Sequence, residues 1–226
     1  MTVKLFILGQ PGSGKSTVAR YIPMFAQNLH WFACRYNDYP FLQEMFRNDI
    51  EGKQFKPADG GGFDVLDLNV FDMALIKLEQ KVNKYLLSAK QEEMTLIEFA
   101  RNDYKNAFNQ FSPTFLQDAY FLYLDAQIDI CKRRIRDRIN PPIYDDDYYV
   151  SNYIFDAYYH SDDGQRLFNI LVDQFNIDEY RVEIIDNNSS FQEVESKISQ
   201  FVDYIITRVS SDKNTATTPS TLARVF

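Results

Sequence analysis

The sequence predicts an α/β fold of three layers, a parallel sheet with helices on both faces and a lid. Three observations carry this: short apolar runs that read as buried strands, stretches of helical periodicity between them, and a glycine-rich loop joining the first run to the first helix. Strands separated by helices are joined by crossovers, so they lie parallel and both faces of the sheet are covered. With 226 residues, the chain fits one such domain over 1–209, with 210–226 as a disordered tail.

Val3 to Leu8 is an apolar run that stops at Gly9 and reads as a central strand. Gly9 to Gly14 is a loop, and a helix opens at Lys15. Pro23 removes an N–H from that helix, so a break or kink is expected there. His30 to Arg35 reads as a second strand and Tyr39 to Arg47 as a short helix. Lys53 to Gly62 holds Pro57 and a glycine triplet at 60–62, the composition of a loop. Phe71, Ala74, Leu75, Leu78, Val82, Tyr85 and Leu86 recur at helical spacing between Val70 and Leu87. Met94 to Phe99 and Tyr120 to Leu124 are strand-like runs. Gln127 to Ile139 is a helix with Ile128, Cys131, Ile135 and Ile139 on one face, stopped by Pro141 and Pro142. Val182 to Ile185 is a last strand. Phe191, Val194, Ile198, Phe201, Val202, Ile205 and Val209 line a final helix. Ser and Thr dominate after Ser210, where apolar residues are few.

Lys plus Arg number 24 and Asp plus Glu 32, for a net charge of −8. A grip on long nucleic acid comes from neutralising phosphates, so this balance argues against it. A small anion in a local basic pocket is not affected. Cys34 and Cys131 lack Cys-x-x-Cys spacing, and His30 and His160 complete no zinc pattern. The two thiols read as reduced residues of a cytoplasmic protein. No run reaches the length of a membrane span.

Gly9-Gln10-Pro11-Gly12-Ser13-Gly14-Lys15-Ser16-Thr17 matches Gly-x-x-x-x-Gly-Lys-Ser/Thr, the Walker A phosphate loop, with a strand before it and a helix after it. The residue types follow from the task. Glycines let backbone N–H groups close round an anion, and the helix N-terminus adds its positive end. Lys15 reaches β- and γ-phosphates, and the Ser16 hydroxyl is a Mg²⁺ ligand. The motif specifies a nucleoside triphosphate and the P-loop NTPase form of the fold. It does not specify the reaction.

Glu98 ends an apolar strand, at the edge where open α/β sheets bind ligands. It is a candidate to orient Mg²⁺ or to act as base toward an acceptor hydroxyl. Arg101 is a candidate clamp for a phosphate or carboxylate. Asp38, after the second strand, is the rival base, or alternatively the N-cap of the next helix. Further on, Arg134 and Arg138 share one flank of the helix bearing Cys131 and Ile135, and Arg133 points nearly opposite. Phosphoryl transfer needs such cations. Residues 139–160 then read as a mobile lid.

With these residues in view, the chain resembles the P-loop small-molecule kinases, the nucleoside and nucleotide kinases related to adenylate kinase. Arg134-Ile135-Arg136-Asp137-Arg138 looks like the segment that opens the lid in that group. The resemblance implies that Arg134 lies against the nucleotide and Arg138 meets its phosphates. Val182 to Asn188 looks like the group's last strand and turn, which implies that Asp186, Asn187 and Asn188 lie on the base side. The spacing of Glu98 and Arg101 departs from the group's acceptor motif, which sets an Asp four residues before an Arg. The glycine triplet is similar to the acceptor loop of shikimate kinase.

Residues and resemblance together lead to an ATP- and Mg²⁺-dependent phosphotransferase of small acceptors, a nucleoside or nucleoside monophosphate first. The alternatives are a regulatory ATPase switch, or a toxin-like kinase of a sugar-nucleotide or a nucleic-acid end. The guanine-reading Asn-Lys-x-Asp motif is absent, and the net charge weighs against polymer ends.

Overall fold

The computed structural model of the protein describes residues 2–58, 62–90, 92–138, 155, 159 and 164–216. Five strands form one sheet: β1 (Thr2–Leu8), β2 (Phe32–Asn37), β5 (Glu93–Glu98), β6 (Ala119–Asp125) and β7 (Val182–Asp186). Their order is β2-β5-β1-β6-β7, and all four pairings are parallel. The central strand β1 is apolar from Leu5 to Leu8, where neighbours cover it on both sides and helices on both faces.

Alternation along β1 divides the core. Leu5 and Ile7 face one layer with α1 (Lys15–Asn28) and α8 (Phe191–Ala216), among Val18, Ile22, Ile198 and Val202. Phe6 and Leu8 face the other. There α3 (Asn69–Leu86), α4 (Tyr104–Phe108), α5 (Pro113–Gln117) and α7 (Gly164–Asn169) supply Leu75, Leu78, Phe108, Phe115 and Leu167. A third cluster joins α2 (Tyr39–Asn48), the start of α3 and α6 (Ile128–Arg138), above the C-terminal end of the sheet.

Some expectations change. α1 runs through Pro23 without interruption. Proline removes one helical hydrogen bond, and burial of Val18, Ala19, Ile22 and Ala26 holds the helix on both sides of it. The expected loop at 53–62 begins a hairpin, in which β3 (Phe55–Pro57) pairs antiparallel with β4 (Phe63–Val65). Three-residue strands are too short to show alternation. Phe55, Pro57, Phe63 and Val65 share the face that packs on Phe46. The short helices α4, α5 and α7 also escape a periodicity test. α8 extends to Ala216 rather than Val209, so 210–216 is helix and not tail. Extending a formed helix is far less costly than nucleating one. The rest of the expected tail, 217–226, lies outside the described residues, as does the expected lid apart from 155 and 159. Among the described residues, no helix is long and apolar enough to cross a membrane.

Candidate functional site

The loop from Gly9 to Ser16 leaves the C-terminal end of β1, where the chain's connections diverge to the two sides of the sheet. It is anchored on three sides. The Gly9 N–H donates to the buried Tyr104 hydroxyl at 2.8 Å. The Asn187 amide donates to the Ser13 carbonyl at 2.6 Å, and the Asn187 N–H donates to Asp125 O at 2.6 Å. The first turn of α6 presses on the loop from above. A Cβ on Gly12 would lie 2.4 Å from the Cys131 carbonyl, and one on Gly14 would lie 2.5 Å from Asn187 Nδ2. Both glycines have positive φ, 81° and 100°, so substitution is opposed by conformation and by space.

Lys15 is buried, 6% exposed, and its Nζ donates to the Gln10 carbonyl at 2.7 Å across the loop. Ser16 Oγ donates to Glu98 Oε1 at 2.8 Å. Parallel register explains that meeting, because Glu98 pairs with Ile7 on β1. The other carboxylate oxygen, Oε2, accepts from Arg35 Nε at 2.8 Å and from its terminal nitrogen at 2.5 Å. Arg35 lies on β2 opposite Leu96, within reach of the end of β5. Sequence reasoning passed over Arg35. The available signal was a cation inside a strand, three residues before Asp38.

Asp38 and Arg101 form a buried pair. They are 7% and 4% exposed, with an Arg101 terminal nitrogen 2.7 Å from Asp38 Oδ2. Arg101 also donates to the carbonyls of Ala100 at 2.6 Å and Phe71 at 2.8 Å. Its guanidinium lies 4.8 Å from the Phe71 ring centre and 5.7 Å from that of Phe99. Asp38 caps no helix through its side chain. Asn37 Oδ1 instead accepts from the Tyr39 N–H at 3.2 Å. Together Lys15, Ser16, Arg35, Asn37, Asp38, Tyr39 and Glu98 line a small cleft beside the loop. Burial pushes the Tyr39 hydroxyl above its ordinary pKa, against the pull of Gln43 and Arg47.

The remaining expected site residues lie on the loop and along α6 and β7. Pro11 and Ser13 are buried in the loop, and Thr17 is exposed on α1. Asp186 is exposed, and its Oδ1 accepts from the Asn188 N–H and side-chain amide at 2.9 and 2.7 Å. Asn188 Oδ1 accepts from the Gln127 N–H at 2.7 Å. The Asn187 side-chain amide thus serves the phosphate loop. Arg134 reaches toward the Ser189 carbonyl, 3.5 Å away. Arg138 ends α6, and its side chain lies outside the described residues.

The donor set fits Mg²⁺. One hydroxyl and one carboxylate lie side by side, hard oxygen ligands of the kind that bind Mg²⁺ together with substrate phosphates and water. Among the described residues, no cluster of three His, Cys, Asp or Glu side chains offers a closed metal cage. The loop likewise fits a triphosphate, since its glycine positions leave room for backbone alone.

No family model matches the chain, and no curated protein matches it. Solved structures do. The chain is similar to an unliganded sugar kinase from Janibacter sp., at 14% identity and TM-score 0.52, with 93% of this chain and 95% of that one covered. It is also similar to a gluconokinase from Sinorhizobium meliloti, at 12% identity and TM-score 0.46, covering 93% and 97%. An APS kinase from Mycobacterium tuberculosis, solved with AMPPNP and APS, matches at 12% identity and TM-score 0.48, covering 89% and 98%. At these identities the likeness is one of fold. The chain has the fold of the P-loop small-molecule kinases.

Proposed function

We propose that the protein is an ATP- and Mg²⁺-dependent phosphotransferase whose acceptor is a small molecule, a nucleoside or nucleoside monophosphate first. One observation carries the reading: Glu98 bridges Ser16 of the phosphate loop and Arg35 of the neighbouring strand, beside Asp38. This sets a donor-phosphate site and a second carboxylate on one cleft. Lys15 and the loop N–H groups hold the triphosphate. Ser16 and Glu98 hold Mg²⁺, which neutralises charge on the transferring group. Asp38 orients the acceptor hydroxyl and receives its proton. A loose phosphoryl-transfer transition state asks more for orientation than for a strong base, so an ion-paired carboxylate suffices. Arg134 and Arg138 act from α6 on the nucleotide and its phosphates. Cys34 and Cys131 are thiols rather than a disulfide, in keeping with a cytoplasmic setting.

Lys15→Ala tests the donor site. Phosphoryl transfer should be lost and ATP binding weakened, with the fold retained, because the Lys15 ammonium serves the donor phosphates. A folded Lys15→Ala protein that turns over near the wild-type rate would sink the assignment. ATP turnover measured with and without acceptors separates the kinase from a regulatory ATPase, which needs none.

A further inference from the structure

The charge pairing in the cleft narrows the acceptor. We infer that the acceptor beside Asp38 is an uncharged, hydroxyl-bearing ring compound, a nucleoside or a free sugar, rather than an anion; this rests on the phosphotransferase reading above. Anionic acceptors are held by arginines with donors to spare, in forked contacts to phosphate or carboxylate. Here the two acceptor-side arginines are each matched to a carboxylate of the protein. Arg35 gives two donors to Glu98 Oε2, at 2.8 and 2.5 Å. Arg101 meets Asp38 at 2.7 Å, gives further donors to two backbone carbonyls, and lies against two phenyl rings. It is 4% exposed, so it cannot turn toward a ligand without breaking all of these.

The neighbouring cations do not fill the gap. Lys15 belongs to the donor phosphates. Lys56 Nζ stands 3.6 Å from Asp64, and Arg47 is exposed on α2, with neither among the described residues that line the cleft. The sequence from 139 to 163 contains no Lys or Arg. An anionic acceptor would therefore bring its charge beside Asp38, Glu98 and the ATP phosphates, with no cation besides Lys15 and Arg35 among the described residues that line the cleft. Like charges brought together in this way are how an interface rejects a partner.

The remaining wall suits an uncharged ring. Tyr39 lines the cleft, and its ring stacks on Phe63 with centres 5.8 Å apart and planes 11° from parallel. Tyr39 makes this wall aromatic rather than charged, and Asp38 with Asn37 offers partners for hydroxyl groups. A sugar or nucleoside presents both features and carries no charge.

The test uses the full-length protein, ATP and Mg²⁺, with matched acceptor pairs that differ in charge. One pair is a nucleoside and its 5′-monophosphate. The other is a hexose and its aldonate. Acceptor-dependent ADP release and product mass are read for each. The uncharged member of one pair should show kcat/KM at least about tenfold above its charged counterpart. Which pair responds distinguishes a nucleoside acceptor from a sugar. A charged member used as well as or better than its neutral counterpart overturns the inference and leaves the kinase reading standing. No acceptor-dependent ADP release from any member, in a protein that still binds an ATP analogue, overturns the kinase reading and the inference with it.

Discussion

Asp38 and Glu98 are both buried, yet neutralising them should have different consequences. Arg101 beside Asp38 is 4% exposed, so Asp38→Asn removes the carboxylate that faces a buried cation. The expected cost is about 3–5 kcal/mol of folding stability. Arg35 beside Glu98 keeps 21% of its side chain in solvent and can recover water. Glu98→Gln should therefore stay folded, with an amide oxygen still able to accept from Ser16. Its loss is catalytic, a fall in kcat of about 10²-fold or more with little change in ATP affinity. Urea unfolding and steady-state kinetics on both variants separate the two. An Asp38→Asn protein as stable as the wild type would remove the stability cost assigned to its pairing with Arg101.

Among the elements, the entry to the β3–β4 hairpin is pinned by one carboxylate. Asp49 accepts from the N–H groups of Lys53 at 3.1 Å and of Gln54 and Phe55 at 2.8 Å each. Burial acts to raise its pKa, and the three N–H donors outweigh that, so it lies below the ordinary value. A carboxyl with a lowered folded pKa contributes stability that is fully present above its unfolded pKa. That contribution is lost as pH falls through the folded pKa. Amide protection at 53–55 should thus hold at neutral pH and fade in acid below the ordinary aspartate range. Asp49→Ala should abolish it at neutral pH. Hydrogen exchange read at these amides checks both; protection in Asp49→Ala equal to wild type would remove Asp49 as the anchor. α6 is legible from its periodicity, and its seat on the phosphate loop, through Gly12 and the Cys131 carbonyl, is visible only once the chain is folded.

Across the whole molecule, one side chain holds a face of the sheet together. Phe6 is fully buried, stacks on Phe121 with ring centres 5.0 Å apart, and meets Phe99, Phe108, Phe111 and Phe115 edge-on. These rings come from β1, β6, α4, α5 and the segments next to them. Phe6→Ala should cost about 3–5 kcal/mol, because rings from several elements cannot all collapse into the space. Chemical denaturation gives the number; a loss under about 1 kcal/mol would show that the cluster repacks.

The donor half of the site was legible in the sequence because its chemistry is local. Glycines, a lysine and a serine follow one another at fixed spacing between a strand and a helix, and backbone geometry alone brings them round an anion. Most strands and the long helices were legible for the same reason, since periodicity is written along a single segment. The contacts that join the loop to the rest of the cleft were decided by tertiary structure. Arg35 meets Glu98 across 63 residues of chain, and Asn187 meets Ser13 across 174. Neither partner carries a local signature, and nothing in the sequence around Arg101 discloses its pairing with Asp38. Only the β2-β5-β1 order and its parallel register bring these strand ends to one edge. Charges that look available in a sequence are neutralised there, because a buried ion must find its counter-ion within the fold.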